Sequence, residues 1–184
     1  MTPQIYLIAP GDAEEAAIAS MVDRGIGLAG VAALLLPRGQ RDGEAYASLV
    51  RAVAPGVQAR EIAVLIEGEP PAVRALGADG LHVAGPLSAA RSAVAALKPD
   101  FIVGVGGIRS RHDAMQKGEL EIDYILFGPL SGPTSAADRE LAQWWAETME
   151  IPSVFSDPEA TSPAVDAAGS DFVGLNLAAL EAVR

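Results

Sequence analysis

Short apolar runs alternate with segments of helical spacing along the whole chain. The first run, Ile5 to Ala9, stops at Pro10 and Gly11, and a helix is predicted from about Asp12 to Arg24, ending near Gly25. Asp12 suits its N-cap, and Glu14 and Glu15 suit the positive end of the helix dipole. The second strand, Val31 to Leu36, ends at Pro37; the helix from Asp42 to Val53 is stopped by Pro55 and Gly56. Ile62 to Ile66 is a third strand, followed by a helix from Pro70 to Leu76 and Gly77. Gly80 to Val83 is the fourth, with Ser88 capping the next helix. Phe101 to Val105 precedes a helix from Ser110 to Gln116, and Tyr124 to Phe127 precedes one from Ala137 to Met149. Ser153 to Phe155 leads to a short helix reaching Ala168, and Phe172 to Leu175 to a closing helix from Leu177 to Val183.

Eight strand–helix units imply a parallel sheet with helical crossovers. The strands are mostly apolar, as when both faces are buried. Eight units favour closure into a single (β/α)8 TIM barrel over an open flavodoxin-like sheet, which usually stops at five strands. At 184 residues the chain is one domain, 1–184. It is short for a fold that typically takes about 250 residues, so its loops must be trimmed. Ligands of such a barrel sit at the carboxyl ends of the strands.

Charge narrows the partners. A net charge of −11 argues against a nucleic-acid binder, which needs a basic face. Anion binding stays open, because one Arg and a helix N-terminus suffice locally. The chain has no Cys, which removes disulfide and thiolate chemistry. The opening residues read as a strand without the basic region of a signal peptide, and no apolar run approaches a membrane span. A cytoplasmic protein is expected, with self-association left open.

The stretch Leu76-Gly77-Ala78-Asp79-Gly80-Leu81-His82-Val83 resembles the fourth-strand signature of thiamine phosphate synthases and their thiazole-tautomerase relatives. Asp123 to Leu130, then Pro133-Thr134, is similar to that family's sixth strand and following loop; Ile151-Pro152 and Ala168 to Asp171 fit the starts of its last two units. The resemblance implies the same barrel, an activity joining a pyrimidine pyrophosphate to a thiazole phosphate, and Mg²⁺ to hold the leaving pyrophosphate.

Position by position, the match is uneven. Of the family's Arg-x-Lys pair after strand two, Arg38 remains and the Lys does not. Its Asn-Asp after strand three corresponds to Glu67-Gly68, and its second metal-binding Asp, after strand four, to Leu87. No Lys follows Thr134, and Ser156-Asp157-Pro158 replaces the Gly-Gly phosphate loop after strand seven. The last phosphate loop falls near Asn176-Leu177. No metal site is therefore predicted, and Mg²⁺ would bind only if the acidic site were rebuilt around Glu67.

The remaining chemistry gathers at a few positions. Gly104-Val105-Gly106-Gly107-Ile108-Arg109-Ser110 is a Gly-rich turn that opens a helix. Gly104, Gly106, Gly107, Arg109 and Ser110 form a candidate phosphate site, unless the glycines only shape the turn. Arg38, Glu67 and His82 are candidate catalytic residues; for His82 the alternative is a hydrogen-bonded barrel-interior residue, for Glu67 a solvated acidic edge. His112 reads as an exposed helix residue, and of Trp144-Trp145 one packs on the barrel while the other covers a surface or subunit contact. Three functions remain open: the synthase, a non-catalytic barrel that binds a phosphorylated heterocycle or a partner protein, and a metal-independent isomerase using His82 or Glu67.

Overall fold

The computed structural model describes residues 2–181. Eight parallel strands close a barrel in chain order, β1 (Gln4–Ile8), β2 (Val31–Leu36), β3 (Ala63–Ile66), β4 (Gly80–Val83), β5 (Ile102–Val105), β6 (Tyr124–Phe127), β7 (Ser153–Ser156) and β8 (Phe172–Asn176). Closure is made by β8 pairing with β1, Tyr6 lying opposite Gly174. The helices outside are α1 (Glu15–Gly25), α2 (Gly43–Gln58), α3 (Pro71–Leu76), α4 (Leu87–Leu97), α5 (Arg111–Gly118), α6 (Ala136–Thr148) and α7 (Leu177–Glu181). This is the compact (β/α)8 barrel that the alternation predicts. No helix among the described residues is long and apolar enough to cross a membrane.

The period of two along each strand sorts side chains into two cores. Tyr6, Ile8, Leu35, Leu65, Tyr124 and Leu126 pack inside the barrel. Their neighbours Leu7, Leu34, Val64, Val103, Ile125 and Phe127 pack between sheet and helices. Trp145 is buried in this outer layer, its indole N–H donating to Ile151 O at 2.9 Å. Trp144 is half-buried under the Arg111 guanidinium, which links α6 to the start of α5.

The amino-terminal face is held by three aspartates of one kind. Asp79, at the start of β4, accepts the Val64 N–H of β3 at 2.8 Å. Asp123, before β6, accepts Val103 N–H of β5 at 2.8 Å and pairs with Lys98. Asp171, before β8, accepts Ser153 N–H of β7 at 2.9 Å. Each satisfies a strand-end donor that the ladder leaves over.

Four element boundaries differ from the pattern. Helix α2 does not stop at Pro55 but runs to Gln58. Pro55 lies on the exposed side, its own carbonyl still accepts Ala59 N–H, and Val53, Ala54 and Val57 bury the opposite side. Asp12 is not the cap of α1, which begins at Glu15, nor is Ser88 the cap of α4, which begins at Leu87 behind Pro86. Between β7 and β8 no helix forms; the segment is turns and bends. Pro158 and Pro163 lack N–H donors there, while Ser162 and Asp166 side chains bond Ala164 N–H and Ala168 N–H, competing with a helix. The expected end of the closing helix at Val183 lies outside the described residues.

Candidate functional site

The carboxyl ends of β2 to β5 bring together the sequence's candidates. Glu67 follows β3 by one residue, and its Oε2 accepts the backbone N–H of Arg38, which follows β2, at 2.8 Å. The Glu67 N–H donates to the Tyr46 hydroxyl at 2.9 Å, and that hydroxyl donates to Leu36 O. Glu67 is thus fixed through backbone and side chain. Its half-buried position raises the carboxyl above the ordinary value by desolvation, partly offset by the Arg38 N–H. The Arg38 guanidinium does not meet Glu67: its Nε donates to Arg41 O at 3.0 Å, and the side chain is exposed.

His82 lies on the barrel-interior side of β4, 2 % exposed. Its Nδ1 is 2.8 Å from the Tyr124 hydroxyl, which is 2.8 Å from the Tyr6 hydroxyl. Burial lowers the imidazole pKa from 6.5 to about 4 and pushes both phenols well above their ordinary value. The hydrogen-bonded interior position expected as one reading of His82 is what the fold contains. Glycines make the room for it. A Cβ at Gly104 would fall 1.9 Å from the Tyr124 ring, and one at Gly106 would fall 2.7 Å from His82 Nε2.

The Gly-rich turn crosses the rim from β5 to α5. Gly106 N–H is spent on Val83 O, and Gly107 takes a left-handed φ of 65° beside Ala84 O. Ser110 caps α5 by accepting Asp113 N–H. The Asp113 carboxylate accepts Arg109 N–H at 3.2 Å and lies 3.3 Å from Nζ of buried Lys117, which also donates to Gly106 O. Among the described residues, the N–H groups of Gly107, Ile108 and Ser110 have no hydrogen-bond partner. The Arg109 side chain is exposed beside them, and His112 is exposed on α5.

On the other half of the rim the polar groups serve the loop after β6. Ser156 Oγ donates to Pro129 O at 2.6 Å, Thr134 Oγ1 donates to Ser156 O at 2.8 Å, and Asn176 Nδ2 donates to Leu130 O at 3.2 Å. A cleft of about 1290 Å³ opens there, lined by Gly11, Arg41, Ser131, Pro158 and Asn176 among others. Arg41 is the residue that sequence reasoning missed. Its guanidinium donates to Gly11 O at 2.8 Å and to Ala13 O, tying the loop after β1 to the loop after β2. Glu67, His82 and the Gly-rich turn do not line this cleft. The cleft and these polar groups therefore occupy different sectors of one rim.

The donor set does not fit Mg²⁺. No three His, Asp or Glu side chains converge among the described residues. Glu67 stands beside Gly68, which has no side chain to offer, and Leu87 opens α4. Where the resemblance places two metal-binding aspartates, this part of the rim offers the one carboxylate of Glu67, whose Oε2 already accepts Arg38 N–H. Calorimetric titration with Mg²⁺ and pyrophosphate is expected to show no micromolar, pyrophosphate-dependent metal binding. Such binding would mean that Glu67 recruits further ligands.

Comparison with known proteins adds lineage to this geometry. A family model described as thiamine monophosphate synthase matches residues 5–156. The thiamine-phosphate synthase of Rhodospirillum centenum is 33 % identical over 179 residues, covering 94 % of this chain and 86 % of that one. The thiamine-phosphate synthase of Hyphomonas neptunium is 31 % identical over 185 residues, covering 94 % and 84 %. Among solved structures, the thiamine phosphate pyrophosphorylase from Pyrococcus furiosus superposes with a TM-score of 0.73 at 15 % identity, covering 95 % and 86 %.

Proposed function

The chain belongs to the thiamine monophosphate synthase family, and from that premise we propose that its barrel mouth binds a small phosphorylated heterocycle of the thiazole phosphate kind. The observation that carries this reading is the set of unpaired N–H groups at Gly107, Ile108 and Ser110, ahead of α5 and beside Arg109. Backbone donors at a helix start are an anion site, and a neighbouring guanidinium adds a charge-assisted bond. Of the three glycines, Gly107 allows the close backbone approach, being exposed and in a left-handed φ, while Gly104 and Gly106 make room for Tyr124 and His82. Arg38, Glu67 and His82 then face the heterocycle as the groups nearest its reacting atoms. At the positions that resemble the family's last two phosphate loops, the side chains of Ser156 and Asn176 are turned to the loop after β6.

A transferase step that depends on Mg²⁺ and pyrophosphate has no support in these residues. A second reading, metal-independent proton transfer, is favoured by Glu67: a half-buried carboxyl with a raised pKa suits a general base. Assays for pyrimidine-to-thiazole coupling and for deuterium uptake into the ligand separate the two.

The binding test is calorimetry with thiazole phosphate and inorganic phosphate. A well-formed charge-assisted contact contributes about 1.5–3 kcal/mol, so Arg109→Ala is expected to weaken both by roughly ten-fold or more. Arg111→Ala is expected to matter less, because that guanidinium lies over Trp144 at 4.9 Å from its centroid. Parent-like affinity in Arg109→Ala would reduce the turn to a structural element. No binding by the parent would favour a barrel that recognises a protein partner.

A further inference from the structure

Counting hydrogens along the buried chain of Tyr6, Tyr124 and His82 gives it a direction. The Tyr6 hydroxyl has one hydrogen-bond partner among the described residues, the Tyr124 hydroxyl. The Tyr124 hydroxyl has two, Tyr6 and His82 Nδ1. If Tyr6 donates to Tyr124 and Tyr124 donates to Nδ1, every hydroxyl hydrogen finds an acceptor. The neutral imidazole then carries its hydrogen on Nε2. If the chain runs the other way, from Nδ1–H to Tyr124 to Tyr6, the Tyr6 hydrogen is left over. Tyr6 is 2 % exposed, and an unmade hydrogen bond there carries a desolvation cost that the first arrangement avoids.

The other edge of the ring has a different setting. Nε2 makes no hydrogen bond to the described residues, yet it is not among the enclosed polar atoms that lack a partner. It therefore keeps a small accessible area in a ring that is 2 % exposed overall. Gly106, one residue beyond the end of β5, lies against this edge, and a Cβ there would fall 2.7 Å from Nε2 and 2.9 Å from Cε1. The missing side chain leaves a narrow opening at this edge, next to the Gly-rich turn.

We propose that His82 is a fixed, neutral hydrogen-bond donor, its Nε2–H directed to the barrel mouth beside Gly106 to bind an acceptor atom of a heterocyclic ligand, a ring nitrogen or carbonyl oxygen. Tyr124 and Tyr6 are its positioning residues. His82 on this account selects the ligand and is no general base: Nδ1 is blocked by the Tyr124 hydrogen, and Nε2 already carries one. Burial keeps the ring uncharged across the neutral range, so the donor does not switch with pH. The inference rests on the phosphorylated-heterocycle reading of the same mouth and deepens it, because it names what part of the heterocycle is recognised and by which atom.

The imidazole nitrogens report this directly. In ¹⁵N-labelled, ligand-free protein, long-range ¹H–¹⁵N spectra are expected to show His82 as the Nε2–H form, unchanged from pH 5.5 to 8. An Nδ1–H form, or titration near the ordinary His value, would overturn the inference. Tyr124→Phe removes the donor to Nδ1 and is expected to shift the Nδ1 resonance and admit some Nδ1–H form. An unchanged spectrum in the folded variant would remove Tyr124 as the positioning residue; if the variant does not fold, the parent spectrum still decides.

Saturating thiazole phosphate is expected to move the Nε2 resonance, while inorganic phosphate leaves it in place. Phosphate alone moving it would overturn the assignment to a heterocycle atom. Thiazole phosphate that binds without moving it, or with His82 in the Nδ1–H form, overturns this inference and leaves the binding reading standing. An Nε2–H imidazole in a protein that binds no thiazole phosphate overturns the binding reading and the ligand assigned to His82 with it.

Discussion

Gly104→Ala is expected to melt roughly 10 °C below the parent, although it adds one methyl group. The new Cβ would sit 1.9 Å from Cζ and 2.0 Å from Cε1 of Tyr124, inside the contact distance of any two carbons. The ring has nowhere to go: it packs inside the closed barrel, 5.5 Å from the Tyr6 centroid and stacked 5.8 Å from His82. Overpacking a core costs about 1–3 kcal/mol, and displacing the Tyr124 hydroxyl breaks two buried hydrogen bonds worth about 1–3 kcal/mol each where a group is left unpaired. The low end of that sum, about 3–4 kcal/mol, at about 2–4 °C per kcal/mol for a chain of this size, gives the shift. Gly56→Ala is the control. Gly56 lies in α2 with nothing within 4 Å of an added Cβ, so that variant is expected to melt at or slightly above the parent, by up to about 1 kcal/mol of helix propensity. If Gly104→Ala melts within 2 °C of the parent on a calorimetric scan, the Tyr124 ring is not pinned and the direction of the hydrogen-bond chain loses its basis.

Gly104 also shows where sequence reasoning stopped. The alternation of apolar and helical segments gave every strand and the closed barrel, because that signal is local and repeats eight times. The glycines were legible as a turn before a helix. That Gly104 belongs to the strand and makes room for an aromatic ring depends on a contact with a residue 20 positions away, which no local pattern records. Arg41 was missed for the same reason: its partners, Gly11 O and Ala13 O, are about 30 residues earlier. The helix expected after β7 failed on local chemistry that was visible, two prolines together with Ser162 and Asp166.

The motifs that carry the family resemblance have a structural use that explains why they are so readable. Asp79, Asp123 and Asp171 all lie in those stretches, and all three hold strand ends on the amino-terminal face. That face of such a barrel reads as stability, whereas the opposite rim carries chemistry. The lineage was therefore legible in the residues that build the barrel, while Glu67, Gly68 and Leu87 at the rim departed from the family's pattern. Fold and site are separable in this chain, and the sequence could speak clearly about one without fixing the other.

Acid is expected to destabilise the fold through His82, by about 2–3 kcal/mol between pH 7.5 and pH 4.5. The imidazole titrates near 6.5 when the chain is unfolded and near 4 when folded, because burial disfavours its charged form. Between those values the unfolded chain binds more protons, so stability rises with pH there. The contribution is fully present above pH 6.5 and is lost as pH falls toward 4. Glu67 acts in the opposite direction: its raised carboxyl pKa means the folded chain binds a proton more readily, which favours the fold as pH falls. The two overlap, so the parent's net slope alone does not isolate His82. His82→Gln does, since it leaves Glu67 in place and removes the buried imidazole. Urea unfolding at pH 7.5 and pH 4.5 is expected to give a parent that loses about 2–3 kcal/mol more than the variant over that interval. The variant itself is expected to be less stable at pH 7.5, because Tyr124 loses its acceptor. Equal losses in the two proteins would mean that His82 charges freely in the folded barrel, and a charged imidazole carries hydrogens on both nitrogens. The Tyr124 hydroxyl would then have to accept from Nδ1, and His82 would present a cation at the mouth in place of a neutral donor.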